Sequence, residues 1–271
     1  MKLRAICLTF SALFFTSSTF AAEVCGEKIQ GTIMQGSAPN AKKVIFNDKK
    51  ISISPDGDFL IAFGRDQQLK QILELDETKY SFNITKQKWD IQNIKGIPQN
   101  KVTPSEEDQK AIDLERADMR QALSPITDQT FWKNGFIRPA EGRISGSFGG
   151  QRIMNGTPRN PHQGLDIAAP EGTPVKASGD GIVRLAGFDY FYTGNVIVID
   201  HGHNLSTMYV HMKDINVKQG DEVKQGDEIG TVGKTGRVTG AHLHWGASLN
   251  GNRFDPQSLL QLNNHKNCFK L

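Results

Sequence analysis

The sequence has little excess charge and no long apolar run. Its 271 residues contain 32 lysines and arginines against 29 aspartates and glutamates. A nucleic-acid-binding surface needs a clustered excess of basic residues, so this balance excludes nucleic acid as the expected partner. The apolar stretch AICLTFSALFF near the N-terminus is too short to span a bilayer comfortably. The remaining composition, with 37% apolar and 23% charged residues, is typical of a globular chain with a core of normal size.

The same apolar stretch has the surroundings of a secretory signal peptide. Two basic residues precede it, and TFA at 19–21 offers small residues at a cleavage site. We expect residues 1–21 to be a signal peptide that is cleaved after Ala21; an uncleaved anchor is the alternative. Cys25 is not preceded by the small residue of a lipoprotein signal, so no lipid anchor is expected. The mature protein is then exported, to the periplasm or into the medium, and is not an integral membrane protein.

Cysteine is scarce, with three in the whole chain. Cys7 lies in the predicted signal peptide, which leaves Cys25 and Cys268 near the two ends of the mature chain. Two cysteines in an exported protein predict one disulfide. Two free thiols on frayed termini are the alternative.

The mature sequence divides into segments of different periodicity. Residues 22–102 alternate apolar and polar positions around turn signals such as SPDG, which predicts a small N-terminal β-sandwich. Residues 103–137 are a predicted helical linker, and glycine-punctuated β-runs fill residues 138–260. Residues 261–271 form a polar C-terminal tail. The predicted fold class is therefore mainly β.

The linker contains one strong helix signal. Thr103 is a candidate N-cap, Pro104 stands at the first helical position and Glu106 completes a capping box. These residues predict a helix over 104–124.

Histidine and aspartate form three clusters in the C-terminal half. His162 and Asp166 are four residues apart in HQGLDIAAP, and alternation turns Asp166 away from its apolar neighbours. In TMYVHM, alternation predicts that His211 shares a strand face with Tyr209, which either orients it or packs in the core. In GAHLHWG, His242 and His244 are two residues apart and share one face of a strand.

Together the clusters supply two histidines and one carboxylate as ligands, with two histidines left over. This is the donor set of a catalytic zinc site with an open position for water. The sequence has no His-Glu-x-x-His, so the helical metalloprotease pattern is absent. The further His-x-His of DHGHN at 200–204 lies in a predicted hairpin turn, and His265 lies in the polar tail; neither is expected to bind metal.

In order and spacing, His162-x-x-x-Asp166, His211 and His242-x-His244 resemble the lysostaphin and LytM family of zinc metallopeptidases. GTPVKASGDGIV, GDEVKQGDEIG and TGRVTGAHLHWG are also similar to that family. The resemblance covers about residues 138–258. The N-terminal part resembles, more weakly, the β-sandwich that precedes the catalytic domain in some exported bacterial members.

The resemblance implies that residues 138–260 form a zinc metallopeptidase domain, an open antiparallel β-sheet crossed by a groove. It implies one zinc ion per chain, held by His162, Asp166 and His244, with His211 and His242 as catalytic histidines. The implied substrate is a peptide of bacterial peptidoglycan, in its cross-links or stem peptides.

Several alternatives stay open at this point. A non-enzymatic peptidoglycan-binding protein or activator of another hydrolase is the main alternative function, and a biotinyl or lipoyl carrier domain is a further one. We expect a D,D-endopeptidase, with cleavage of a glycine bridge as the alternative. The sequence does not decide which of His211 and His242 is the general base, whether the N-terminal part inhibits or targets the enzyme, or the oligomeric state.

Overall fold

The computed structural model describes residues 22–97, 103–124 and 127–271. The predicted signal peptide, residues 1–21, lies outside these described residues. Within them, no helix has the length and apolar character that crossing a membrane requires. The chain consists mainly of strands in several largely antiparallel sheets, which confirms the mainly β fold expected from the sequence.

The N-terminal part contains two sheets that share one core. Its strands are β1 Glu23–Cys25, β2 Ile33–Ser37, β3 Val44–Phe46, β4 Lys49–Ile51, β5 Asp58–Ala62, β6 Lys70–Leu75, β7 Thr78–Asn83 and β8 Ile91–Ile94. β1, β2 and β5 belong to one sheet, and β3, β4, β6 and β7 form the other. Met34 and Phe59 of the first sheet pack with Val44 and Leu73 of the second in one buried cluster. This arrangement is a small β-sandwich.

One α-helix, α1 Glu106–Ala122, follows and packs against the C-terminal sheet. It begins two residues later than the sequence predicts. The N-cap is Ser105, because its Oγ accepts a hydrogen bond from the Asp108 backbone N–H at 3.0 Å. The Asp108 carboxylate in turn accepts one from the Ser105 N–H at 3.2 Å. Ser105 and Asp108 therefore form the capping box that the sequence analysis placed at Thr103 and Glu106.

The C-terminal part is built on one large antiparallel sheet. Its strands are β9 Arg143–Gly146, β10 Gln151–Met154, β11 Thr157–Pro158, β12 Leu165–Ala168, β13 Pro174–Lys176, β14 Gly181–Tyr190, β15 Gly194–Asp200, β16 Leu205–Ile215, β17 Glu222–Val223, β18 Glu228–Val232, β19 His242–Leu249, β20 Asn252–Phe254 and β21 Phe269–Lys270. Ten of them form the sheet, along the path β17-β14-β15-β16-β19-β12-β9, with β13, β18 and β20 attached. Short 3₁₀ helices span Phe131–Asn134 and Pro256–Gln261.

The two parts of the chain are joined by pairing as well as by sequence. β21 pairs with β1, and Cys25 forms a disulfide with Cys268, so residues 261–271 are anchored rather than a free tail. β8 runs parallel to β10, and the sandwich residue Ile33 belongs to the same buried cluster as Trp245. The sandwich and the large sheet therefore share part of their packing.

Candidate metal centre and groove

Two neighbouring strands carry the centre of the site. β12 pairs with β19 so that Asp166 lies opposite His244 and Ala168 lies opposite His242. Strand alternation sends Leu165 and Trp245 into the core, where both are buried. Asp166, His242 and His244 therefore share the opposite face, as alternation predicts.

Three side-chain atoms converge on this face. His162 Nε2 lies 2.9 Å from His244 Nδ1 and 2.9 Å from Asp166 Oδ1. His244 Nδ1 lies 2.8 Å from the same Asp166 oxygen. The three residues are one of the groups of metal-ligating side chains in the described part of the chain. A second group contains Cys25, whose sulfur is already committed to the disulfide.

The chemistry of these atoms fits a bound metal ion. His162 Nδ1 lies 2.8 Å from the Ser147 carbonyl oxygen, which assigns the proton to Nδ1 and a lone pair to Nε2. That lone pair faces the acceptor Oδ1 of Asp166 at 2.9 Å, a contact that a cation between the two atoms would turn from repulsive to attractive. Two imidazole nitrogens and one carboxylate oxygen are ligands that zinc takes in catalytic sites.

Burial and hydrogen bonding set the charges of this group. Burial alone would raise the pKa of Asp166, but the close contacts of its carboxylate with His162 and His244 outweigh burial and hold the pKa well below its ordinary value. Burial lowers the pKa of His244 to about 4, although Asp166 opposes this shift. An ionised carboxylate beside a neutral His244 imidazole is the protonation state that metal ligands need.

Two glycines allow the ligands to approach one another. A Cβ at Gly164 would lie 2.6 Å from His244 Nε2 and 2.5 Å from the Trp245 carbonyl oxygen. A Cβ at Gly146 would lie 2.6 Å from Asp166 Oδ2. All three distances are shorter than real side chains allow, so neither position admits a larger residue without a shift of the surrounding atoms.

His211 also lies on this face, although strand alternation does not predict that position. β15 and β16 change register at this point: Val196 lies opposite Val210, but Asn195 lies opposite Met212. His211 is thus the extra residue of a β-bulge, and its φ of 67° is in the left-handed region. The expectation that it shares a face with Tyr209 was wrong, because the bulge turns His211 to the side of His244. Left-handed backbone in a residue other than glycine is strained and concentrates at functional sites.

Tyr209 does not orient His211. Its side chain is fully buried, and its hydroxyl is engaged by Ser178 and by Thr207. His201 is likewise a buried core residue, bonded to the Asp180 carbonyl and to the Thr207 hydroxyl.

His211 and His242 present the same nitrogen to the site. Nδ1 of His211 is bonded to the Thr235 carbonyl and Nδ1 of His242 to the Gly240 carbonyl, each at 2.9 Å. Both Nε2 atoms therefore carry lone pairs when the rings are neutral. The two ring centroids are 4.8 Å apart, and His242 Nε2 lies 3.7 Å from Asp166 Oδ1. Burial, reinforced by His242 and His244, holds the pKa of His211 well below its ordinary value.

Arg152 is a site residue that the sequence analysis did not identify. Its Nη2 donates to Asp166 Oδ2 at 2.6 Å, which leaves Oδ1 facing the two histidines. Arg152 belongs to β10, whose parallel partner β8 comes from the N-terminal part. No sequence signal links these segments, because the contact depends on long-range packing.

A groove of about 830 Å³ runs along this face. Its lining includes His162, His211 and His244, and α1 forms one wall. In the described part of the chain, no hydrogen bond joins the side chains of His162, Asp166 or His244 to residues 22–124. A direct hydrogen bond from the N-terminal part to these three side chains, one way in which that part could inhibit the enzyme, is therefore not seen among those residues.

Comparison with known proteins agrees with the family resemblance that the histidine and aspartate motifs indicate. Residues 160–256 match the model of peptidase family M23. Peptidoglycan DD-endopeptidase ShyA of Vibrio cholerae is 44% identical over 110 residues, which are 40% of this chain and 25% of that protein. DD-carboxypeptidase/endopeptidase Mpg of Neisseria meningitidis is 45% identical over 98 residues, which are 36% and 22% of the two chains. This chain thus spans about a quarter of the length of these curated relatives.

One solved structure is similar over nearly the whole chain. A crystal structure from Pseudomonas aeruginosa assigned to peptidase M23 has a TM-score of 0.66 and 26% sequence identity, and covers 87% of this chain and 96% of its own. The match to this structure and the family match at the histidine-bearing strands confirm the resemblance inferred from the motifs. The chain therefore contains a peptidase M23 domain over residues 160–256, a domain of metallopeptidases.

Proposed function

We propose that this protein is a zinc-dependent endopeptidase that hydrolyses peptide bonds in bacterial peptidoglycan, and that it acts as a D,D-endopeptidase. The observation that carries the proposal is the convergence of His162, Asp166 and His244 beside two further histidines in an open groove. The similarity to relatives named as peptidoglycan DD-endopeptidases supports the substrate class.

The three converging residues would hold the zinc ion. A bound zinc ion lowers the pKa of a water molecule to about 7 and polarises a scissile carbonyl. The protein holds the ligands in place through Ser147, which fixes the tautomer of His162, and Arg152, which occupies the second oxygen of Asp166. Such outer partners keep ligands in the orientation that a metal requires.

His242 is the general base in this proposal. Its Nε2 has a free lone pair and lies beside the ligand oxygen of Asp166. The His242 ring is more exposed to solvent than the buried ring of His211, which favours His242 for exchanging protons with water. His242 can take a proton from the attacking water and pass it to the leaving amine.

His211 has a complementary role. Because its Nδ1–H is given to Thr235, the neutral ring offers an acceptor rather than a donor at Nε2. His211 can therefore orient the attacking water by accepting one of its hydrogens. The alternative role, donation to the oxyanion, would require a protonated His211, which its burial opposes.

We further propose that the protein acts outside the cytoplasm, in the periplasm. Two observations support this location: the signal-peptide pattern of residues 1–21 and the disulfide between Cys25 and Cys268. Disulfides of this kind form and persist in oxidising compartments. The periplasm also contains the proposed substrate.

Digestion of purified peptidoglycan tests the proposal. The zinc-loaded protein, residues 22–271, should convert cross-linked muropeptides into monomers, and mass analysis of the products should identify the bond that is cut. Removal of zinc by a chelator, or the substitution His242→Ala, should abolish the conversion. Unchanged cross-links after prolonged digestion would refute the endopeptidase function, and release of glycine peptides alone would identify a bridge-cleaving enzyme instead.

A further inference from the structure

Arg253 is a groove-lining arginine without an anionic partner. β20 pairs with β19 so that Arg253 lies opposite Ser248, on the strand face that also carries His244. In the described part of the chain, its one hydrogen bond runs from Nη1 to the Met208 sulfur at 3.0 Å. A thioether is a weak acceptor, so the guanidinium keeps most of its donors available.

The surroundings of Arg253 make a guanidinium without an anionic partner unfavourable in the absence of a ligand. Burial lowers the pKa of Arg253 to about 10, and no nearby carboxylate counteracts that shift. The guanidinium is still charged at neutral pH, and a partly buried charge without a partner destabilises the fold. By contrast, Arg152 is paired with Asp166 and Arg116 with Asp113.

The groove as a whole has the electrostatic character of an anion-binding site. Among the described residues that line it, Glu115 is the one acidic side chain. Six arginines line the same groove: Arg116, Arg120, Arg152, Arg159, Arg237 and Arg253. A cleft with this excess of positive charge attracts negatively charged peptides.

The position of Arg253 relates it to the metal centre. Met208, its contact, lies opposite Gly246. Gly246 is two residues beyond His244 along β19, a distance of about 7 Å at the rise of an extended strand. A group bound by Arg253 would therefore lie within about two residues of the bond being hydrolysed.

We propose that Arg253 binds a carboxylate of the substrate peptide and thereby sets the position and specificity of cleavage. The inference rests on the proposed function, and it adds the recognition of one acidic group near the scissile bond. The guanidinium fork matches a carboxylate with two parallel hydrogen bonds, which a lysine does not reproduce.

Synthetic peptides test this inference on the full mature chain. The substrates are cross-linked peptide dimers in which D-alanine is joined to the side-chain amine of a diamino acid, with the carboxyl groups free or amidated one at a time. Amidation of one specific carboxyl group should lower kcat/KM of the wild-type enzyme about 10- to 100-fold, the usual effect of losing a hydrogen-bonded charge.

The variant Arg253→Met should show the same loss with the free substrate and should no longer distinguish it from that amidated form. Arg253→Lys should recover part of the preference, because lysine restores the charge but not the two parallel hydrogen bonds. Arg143→Met is the matched control: it removes a positive charge from an exposed strand residue outside the groove lining and should behave as wild type. Zinc content and thermal unfolding establish that the variants are folded.

Two results would overturn the inference. Equal cleavage of all amidated forms by the wild-type enzyme would show that no carboxylate is recognised. Retention of the wild-type preference by Arg253→Met would show that another group recognises it. Failure of the zinc-loaded protein to cleave either these peptides or intact peptidoglycan is a separate result, which would refute the proposed function and this inference with it.

Discussion

Gly164 offers a direct test of how tightly the metal centre is packed. The substitution Gly164→Ala places a Cβ 2.5 Å from the Trp245 carbonyl oxygen and 2.6 Å from His244 Nε2. Ordinary contacts begin at 3.4 Å, so these atoms would have to move by 0.9 and 0.8 Å. Metal ligands tolerate displacements of only about 0.2 Å. We therefore expect zinc affinity to fall at least about 10-fold, which corresponds to about 1.4 kcal/mol.

The same overpacking should also lower the free energy of unfolding of the metal-free protein by about 1–3 kcal/mol. Zinc affinity is measured by competition with a chromophoric chelator, and stability by denaturant unfolding of the metal-free protein. Gly240→Ala is the matched control, because a Cβ at Gly240 meets no atom within 4 Å and its backbone is not left-handed. If Gly164→Ala bound zinc with an affinity within twofold of the wild type, the close packing of Gly164 against His244 would not be what positions this ligand.

Three further predictions follow from the site and the packing. His244→Ala should lose most of its bound zinc in metal analysis, whereas His211→Ala and His242→Ala should retain zinc and lose hydrolysis; near-normal turnover of either would remove it from the catalytic set. Reduction of the disulfide should lower the free energy of unfolding by about 5 kcal/mol at most, measured by denaturant titration with and without reductant. A fragment of residues 138–271 should have a lower free energy of unfolding than the mature protein and should hydrolyse peptidoglycan more slowly. Faster hydrolysis by a folded fragment would support an inhibitory N-terminal part.

The parts of the site that lie on regular strands could be predicted from the sequence. Asp166 and His244 face each other because β12 and β19 alternate without interruption around them. The period of two that places His242 beside His244 depends only on the extended backbone, which local sequence is sufficient to indicate.

His211 shows where this reasoning fails. Its orientation depends on a one-residue bulge whose backbone N–H bonds the Thr193 carbonyl and whose ring bonds the Thr235 carbonyl. Those two carbonyls come from loops 18 residues before and 24 residues after it. A pattern read along one strand contains no information on such contacts, so alternation gave the wrong face. The resemblance to a family indicates the residue as a catalytic candidate, but not the geometry that positions it.

The role of the N-terminal part follows from contacts of the same long-range kind. β8 pairs with β10, the strand that carries Arg152, and Trp89 packs against Phe148 with ring centroids 5.7 Å apart. Arg65 of the same part donates to the Gly149 carbonyl at 2.6 Å. These contacts hold the segment that leads from Ser147, the tautomer-fixing partner of His162, to Arg152. Because both outer partners of the metal centre depend on this segment, we expect removal of the N-terminal part to weaken activity rather than to increase it.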